Sequence, residues 1–87
     1  MEPTFGEQLK TDKSYSDVKL NTFTTRLTAH GEVMVKMASG EVHNIHLGDR
    51  GSVEEGLISY KANDGSRHNI FTDQIESMWT HLGYPES

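Results

Sequence analysis

At 87 residues with 33% hydrophobic content, the chain has room for one domain, and a domain of this size buries only about 60–65% of the surface its unfolded chain exposes. It holds no cysteine, which excludes disulfides and thiolate-held zinc, and no apolar run approaches the length that spans a bilayer as a helix. Lys and Arg number 8 against 13 Asp and Glu, so the net charge of −5 opposes generic phosphate binding.

The first 17 residues, "MEPTFGEQLKTDKSYSD", are polar and contain one proline. They read as an N-terminal arm, loose or with a short helix around Phe5–Lys10, preceding a small β domain over residues 18–87. The arm has neither the basic start nor the apolar stretch of a signal peptide, so the expected location is cytoplasmic.

Strand signals follow. "NTFTTRLTA" is rich in Thr and Phe, and as a strand it sets Phe23, Thr25, Leu27 and Ala29 on one face. His30–Gly31 then reads as a tight hairpin turn. "EVMVKMA" alternates Val33, Val35 and Met37 against Met34, Lys36 and Ala38. After a turn at Ser39–Gly40, "EVHNIHL" alternates His43, Ile45 and Leu47 against Val42, Asn44 and His46. "GDRGSVEEG" reads as one roomy loop. "LISYKA" puts Ile58, Tyr60 and Ala62 on one face, "NDGS" is the firmest turn signal, and "RHNIF" resumes a strand. Tight turns between consecutive strands leave no room for parallel crossovers. The expected fold is mainly β, a five-stranded antiparallel meander curling into a small barrel or half-barrel.

The segment Thr72–Leu82 reads two ways. Ile75, Met78, Trp79 and Leu82 fall on one helical face, with Thr72 as N-cap, Asp73 in the first turn and Gly83 and Pro85 as a stop. As a helical turn plus closing strand, Ile75, Ser77, Trp79 and His81 share one face instead, and Met78 turns to the other. Local spacing favours the helix, and the case for the strand comes from context. The run from Glu32 to Trp79 resembles small β-barrels of the Sm-like and Src-homology-like kind, in its order of strand, tight turn, bent strand, loop, strand, Asp-Gly turn, strand, helical turn and closing strand. That resemblance implies the fold alone, since no Asn-Gly or Arg-Gly element of an Sm RNA pocket is present.

Five histidines are many for this length, and "HNIH" invites a metal reading. On a strand His43 and His46 point to opposite faces, so only a cross-strand pair such as His43 with His68 can converge. No zinc-site motif fixes such a geometry, and no metal or cofactor is expected. A catalytic role is not expected either. There is no GxSxG elbow, Ser39 and Ser66 sit in turns, and "GDRG" lacks the spacing and lysine of a phosphate loop.

Two groups could bind a partner. Trp79, Tyr84 and Met78 lie close together near the C-terminus and belong to residue types enriched at protein interfaces. Tyr60, Arg67 and His68, with Lys61 and Lys36, could stack and hold a single nucleic-acid strand. The reading from sequence is a non-enzymatic interaction or regulatory module for a protein partner. The alternatives are an Sm-like binder of single-stranded nucleic acid and an acidic, phage-type inhibitor that mimics nucleic acid. An uncovered sheet edge would add self-association.

Overall fold

The computed structural model describes residues 2–9 and 14–80. A short helix, α1 (Phe5–Gln8), precedes a longer one, α2 (Val18–His30). Six strands follow: β1 (Glu32–Met37), β2 (Val42–His46), β3 (Gly51–Glu54), β4 (Leu57–Lys61), β5 (Arg67–Phe71) and β6 (Ile75–Trp79). They form two three-stranded antiparallel sheets, ordered β2-β1-β6 and β3-β4-β5. The strands do not close into a barrel.

The first expected strand is a helix. Leu20, Phe23 and Leu27, at i, i+3 and i+7, are fully buried, whereas Thr25 and Ala29 of the expected strand face are exposed. Asp17 caps the start, its carboxylate accepting from the N–H groups of Lys19 and Leu20 at 2.9 and 3.3 Å. Gly31 ends it in the left-handed region at φ 81°, donating its N–H to Leu27. The "HG" pair is thus a helix stop rather than a hairpin turn. The threonines that suggested a strand satisfy their hydroxyls on the helix itself: Thr22 donates to the Val18 carbonyl and Thr24 to that of Asn21. Burial of a Phe or Leu side chain stabilises by about 1.5–3 kcal/mol, which outweighs the few tenths by which Thr disfavours a helix.

The N-terminal arm is built onto the sheets where it is described. Thr4 and Glu7 form a capping box, with Thr4 N–H donating to Glu7 Oε1 at 2.8 Å. Phe5 is fully buried and meets Phe23 edge-on, centroids 6.0 Å apart.

"GDRGSVEEG" is not a single loop. It contains β3, whose Val53 faces the core, and it ends in a two-residue turn at Glu55–Gly56. The turns at Ser39–Gly40 and Asn63–Ser66 stand as expected. In the latter, Ala62 N–H donates to the Ser66 carbonyl and Gly65, at φ 90°, donates to Ala62.

Of the two readings of the segment from Thr72, the described residues 72–80 take the turn and strand rather than the helix, and Leu82, Gly83 and Pro85 lie outside the described residues. A single 3-10 turn, Thr72–Gln74, leads into β6, which pairs with β1. The register runs Met37↔Ile75, Lys36↔Ser77, Val35↔Met78 and Met34↔Trp79, so Glu76 is an extra residue, a bulge. The bulge changes the faces expected for a regular strand. Ile75 and Met78 both turn toward the core, and Trp79 turns outward. Tertiary pairing with β1 overrides the helical spacing.

Candidate functional site

Where the two sheets part, alternation along three strands brings three rings together. His43 on β2, Tyr60 on β4 and His68 on β5 all point inward. His43 and Tyr60 have their ring centroids 5.6 Å apart, His43 and His68 5.3 Å, and the Tyr60 and His68 rings are stacked. His43 is buried and bonded through both nitrogens, Nδ1 to Tyr60 Oη at 2.7 Å and Nε2 to Glu41 Oε1 at 2.9 Å. An ionised carboxylate only accepts, so Nε2 carries the proton toward Glu41. In neutral His43 the Nδ1 lone pair then accepts from the Tyr60 hydroxyl. His68 Nε2 sits 3.0 Å from Ser66 Oγ, and that hydroxyl donates to Asp64 Oδ1 at 2.6 Å.

The Tyr60 phenol is held above its ordinary pKa, first by burial and then by the charges of Asp49, Glu41 and Asp64. It is a hydrogen-bond donor here, not an activated nucleophile. Beside it lies a cleft of about 360 Å³ bordered by Asn44, His46, Asp49, Tyr60, Ala62, Asn63 and Asp64. Asp49 is committed to the turn, accepting from the His46 N–H at 2.9 Å. Asp64 is held below its ordinary pKa by the hydroxyl and N–H of Ser66. Among the described residues no buried side-chain polar atom lacks a partner. No group of three His, Asp or Glu among them could hold a metal ion. His46, on the opposite face of β2 from His43, is exposed and approaches Glu32 at 3.3 Å.

A second candidate is the outer face of the β2-β1-β6 sheet. Trp79 is 39% exposed and stands in register with Met34, which is itself in register with Asn44. Beside this row, Lys36 pairs with Glu76 at 3.3 Å, and Val42 is 47% exposed.

The residues singled out in sequence divide between these places. Tyr60 and His68 belong to the inner cluster. Arg67 lies on the other face of its strand, bonded to Ser59 Oγ at 2.8 Å and to Glu2. Trp79 is outward and Met78 is half-buried against the core, so the two do not share a surface. Tyr84 and His81 lie outside the described residues. Met34 was the neighbour of Trp79 that sequence reasoning missed. Its place opposite Val33 and Val35 in the alternation was the available signal.

No protein family, curated protein or solved structure matches this chain. Among the described residues no helix is long and apolar enough to cross a membrane.

Proposed function

We propose that the protein is a small, non-enzymatic interaction module of the cytoplasm that binds a protein partner on the outer face of the β2-β1-β6 sheet. The observation that carries this reading is Trp79, a large aromatic held out of the core beside Met34. Aromatic residues and Met are enriched at interfaces, and Trp leads among the residues that dominate binding energy. The partner's apolar side chains would cover Trp79 and Met34, while Lys36 and Glu76 would form part of a polar rim.

Binding of single-stranded nucleic acid is the weaker reading because five of the six described cations, all but Lys61, are already engaged. Lys19 donates to the Ile75 carbonyl, Arg26 to that of Met78, Arg50 to that of Glu2, and Lys36 and Arg67 pair with carboxylates. Tyr60, the aromatic that would stack a base, is buried. The Sm-like resemblance is kept as a proposal about architecture. The 3-10 turn followed by a closing strand supports it.

The test is affinity capture from the native host with the wild-type chain and Trp79→Ala side by side. A protein retained by the former and lost with the latter supports the reading. Equal retention overturns it, as does tight, salt-sensitive binding of a random single-stranded RNA.

A further inference from the structure

The two sheets end in four edge strands, β2, β6, β3 and β5, and unpaired strand edges invite pairing with another chain unless something covers them. The edge of β6 is covered by α2: Lys19 Nζ donates to the Ile75 carbonyl at 2.8 Å and Arg26 Nη1 to the Met78 carbonyl at 2.9 Å. The edge of β3 is covered by the N-terminal arm. Gly51 donates its N–H to the Pro3 carbonyl at 3.2 Å and Val53 donates to Gln8 Oε1 at 3.2 Å. Gln8 Nε2 returns a bond to the Gly51 carbonyl. The edge of β2 borders the cleft beside the Ala62–Asp64 turn; Asp49 takes the outward groups of His46, and among the described residues the two residues Val42 and Asn44 remain open there.

The edge of β5 is the longest left open, three outward residues against two on β2. Two hydrogen bonds fix which of its groups point outward. Ala62 N–H donates to Ser66 at one end of the β4–β5 ladder, and Thr72 N–H donates to Gly56 at the other. Antiparallel pairs alternate between bonded and non-bonded, so between those ends His68 and Ile70 bond to β4. Arg67, Asn69 and Phe71 therefore turn their N–H and C=O groups away from β4. Those backbone groups have no partner among the described residues. The side chains of the same residues are exposed, Phe71 at 57%.

We propose that β5 is a self-association edge, and that its occupant is β5 of a second copy, antiparallel about a two-fold axis through Asn69. Such an axis makes the interface self-complementary. Asn69 faces Asn69 of the other copy, and Arg67 faces Phe71. Each facing pair turns its free groups toward the other and exchanges two backbone hydrogen bonds. The in-register neighbours suit one another, since the apolar stem of Arg67, whose guanidinium stays on Ser59 and Glu2, lies beside the exposed Phe71 and helps cover it. The strand "RHNIF" holds no acid in a chain of net charge −5, which limits repulsion between two copies meeting there. A head-to-tail pairing of β5 with β6 of a neighbour is disfavoured, because Lys19 and Arg26 occupy that edge. This inference does not depend on Trp79, which lies on the other sheet.

Sedimentation equilibrium of the full chain over a range of concentrations tests it, with the wild type expected to approach twice the monomer mass. Asn69→Lys sets two ammonium groups face to face across the axis, while in one copy it only adds an exposed charge. It is expected to weaken dimerisation several-fold with the melting temperature of the dilute chain unchanged. The chain has no cysteine, so Asn69→Cys provides a second reading. Under mild oxidation it is expected to form a covalent dimer much faster than Ser52→Cys, whose exposed position on β3 is away from the axis. A monomer at every concentration overturns the proposal, as does an assembly larger than two. So does a dimer that is indifferent to Asn69→Lys, or equal crosslinking at positions 69 and 52.

Discussion

The ring of Phe5 occupies the space that any side chain on Gly51 would need. A Cβ at position 51 would fall against Phe5 Cζ and the Ser59 carbonyl, and 2.8 Å from Phe5 Cε2. Glycine is required there for room, since β3 must let the N-terminal arm seat its aromatic in the core. Gly51→Ala is expected to destabilise the fold by about 1–3 kcal/mol through overpacking, and Phe5→Ala by about 3–5 kcal/mol through the cavity it leaves. The two changes remove one contact from opposite sides, so the double variant is expected to fall short of their sum by about 0.5–3 kcal/mol. Urea unfolding of the four proteins measures the coupling. An additive result would detach Phe5 from Gly51.

Asp17 joins three parts of the molecule. Its carboxylate caps α2 and accepts from the Thr72 hydroxyl at the 3-10 turn, while its own N–H, with that of Ser16, donates to Glu55. The Thr72 hydrogen bond, followed by those from Leu20 and Lys19, holds Asp17 below its ordinary pKa against the opposing effect of burial. A depressed carboxyl contributes stability that is present above its ordinary pKa and is lost as pH falls toward the folded-state value. Acid below about pH 4 is therefore expected to weaken the wild type more than Asp17→Asn. At neutral pH, Asp17→Ala is expected to cost about 0.5–2 kcal/mol as a lost cap. Denaturant midpoints for the three proteins at neutral and acid pH check both statements.

His43 relies on Tyr60 for one of its two ring contacts. Tyr60→Phe leaves a buried Nδ1 without a donor and is expected to cost about 1–3 kcal/mol. Tyr60 itself, with its pKa raised, is expected to ionise above the ordinary value of about 10, so the phenol form is the one the fold prefers. Its contribution to stability is present below that value and is lost as pH rises past it. Absorbance titration of tyrosinate, comparing wild type with Tyr60→Phe, isolates the delayed step. A Tyr60 that titrates at the ordinary tyrosine value would contradict the geometry.

The parts of this fold that were legible in sequence were those set by short-range chemistry. Alternation of Val33, Val35 and Met37 gave the core face of β1. Gly40 and Gly65 marked their turns, and the opposed faces of β2 separated His43 from His46. The parts that were not legible were decided at a distance. Thr-rich α2 looked like a strand because β propensity was counted ahead of Asp17 and Gly31, whose caps lie thirteen residues of helix apart. The strand β3 hid among glycines and acids because its pairing with β4 and its cover by the arm come from elsewhere in the chain. The Glu76 bulge had no local signal at all. It arises from the match of β6 to β1, and it is what separates Met78 from Trp79. The inner cluster was half visible, since His43 and His68 could be brought together on paper, but Glu41 and Tyr60 become their partners only through the turn and the second sheet.

The cationic cover on β6 gives a last prediction. Lys19 and Arg26 lie seven positions apart on α2, two helical turns, so both reach the same flank of the neighbouring strand. The carbonyls they meet, Ile75 and Met78, point away from β1 on either side of the bulge. Replacing both cations with Ala removes two charge-assisted hydrogen bonds and reopens the edge. At such partly exposed sites each bond contributes about 0.5–1.5 kcal/mol, so the double variant is expected to remain folded with a lower melting point. The larger effect is expected in solution behaviour, because an uncovered edge templates strand pairing. Light scattering on warming is expected to rise earlier for Lys19→Ala/Arg26→Ala than for a control such as Lys61→Ala, whose exposed side chain lies on the other sheet. Amide exchange at Met78 and Trp79 is expected to quicken in the double variant. If both proteins scatter alike, the two cations are solvated charges and the β6 edge is protected by something else.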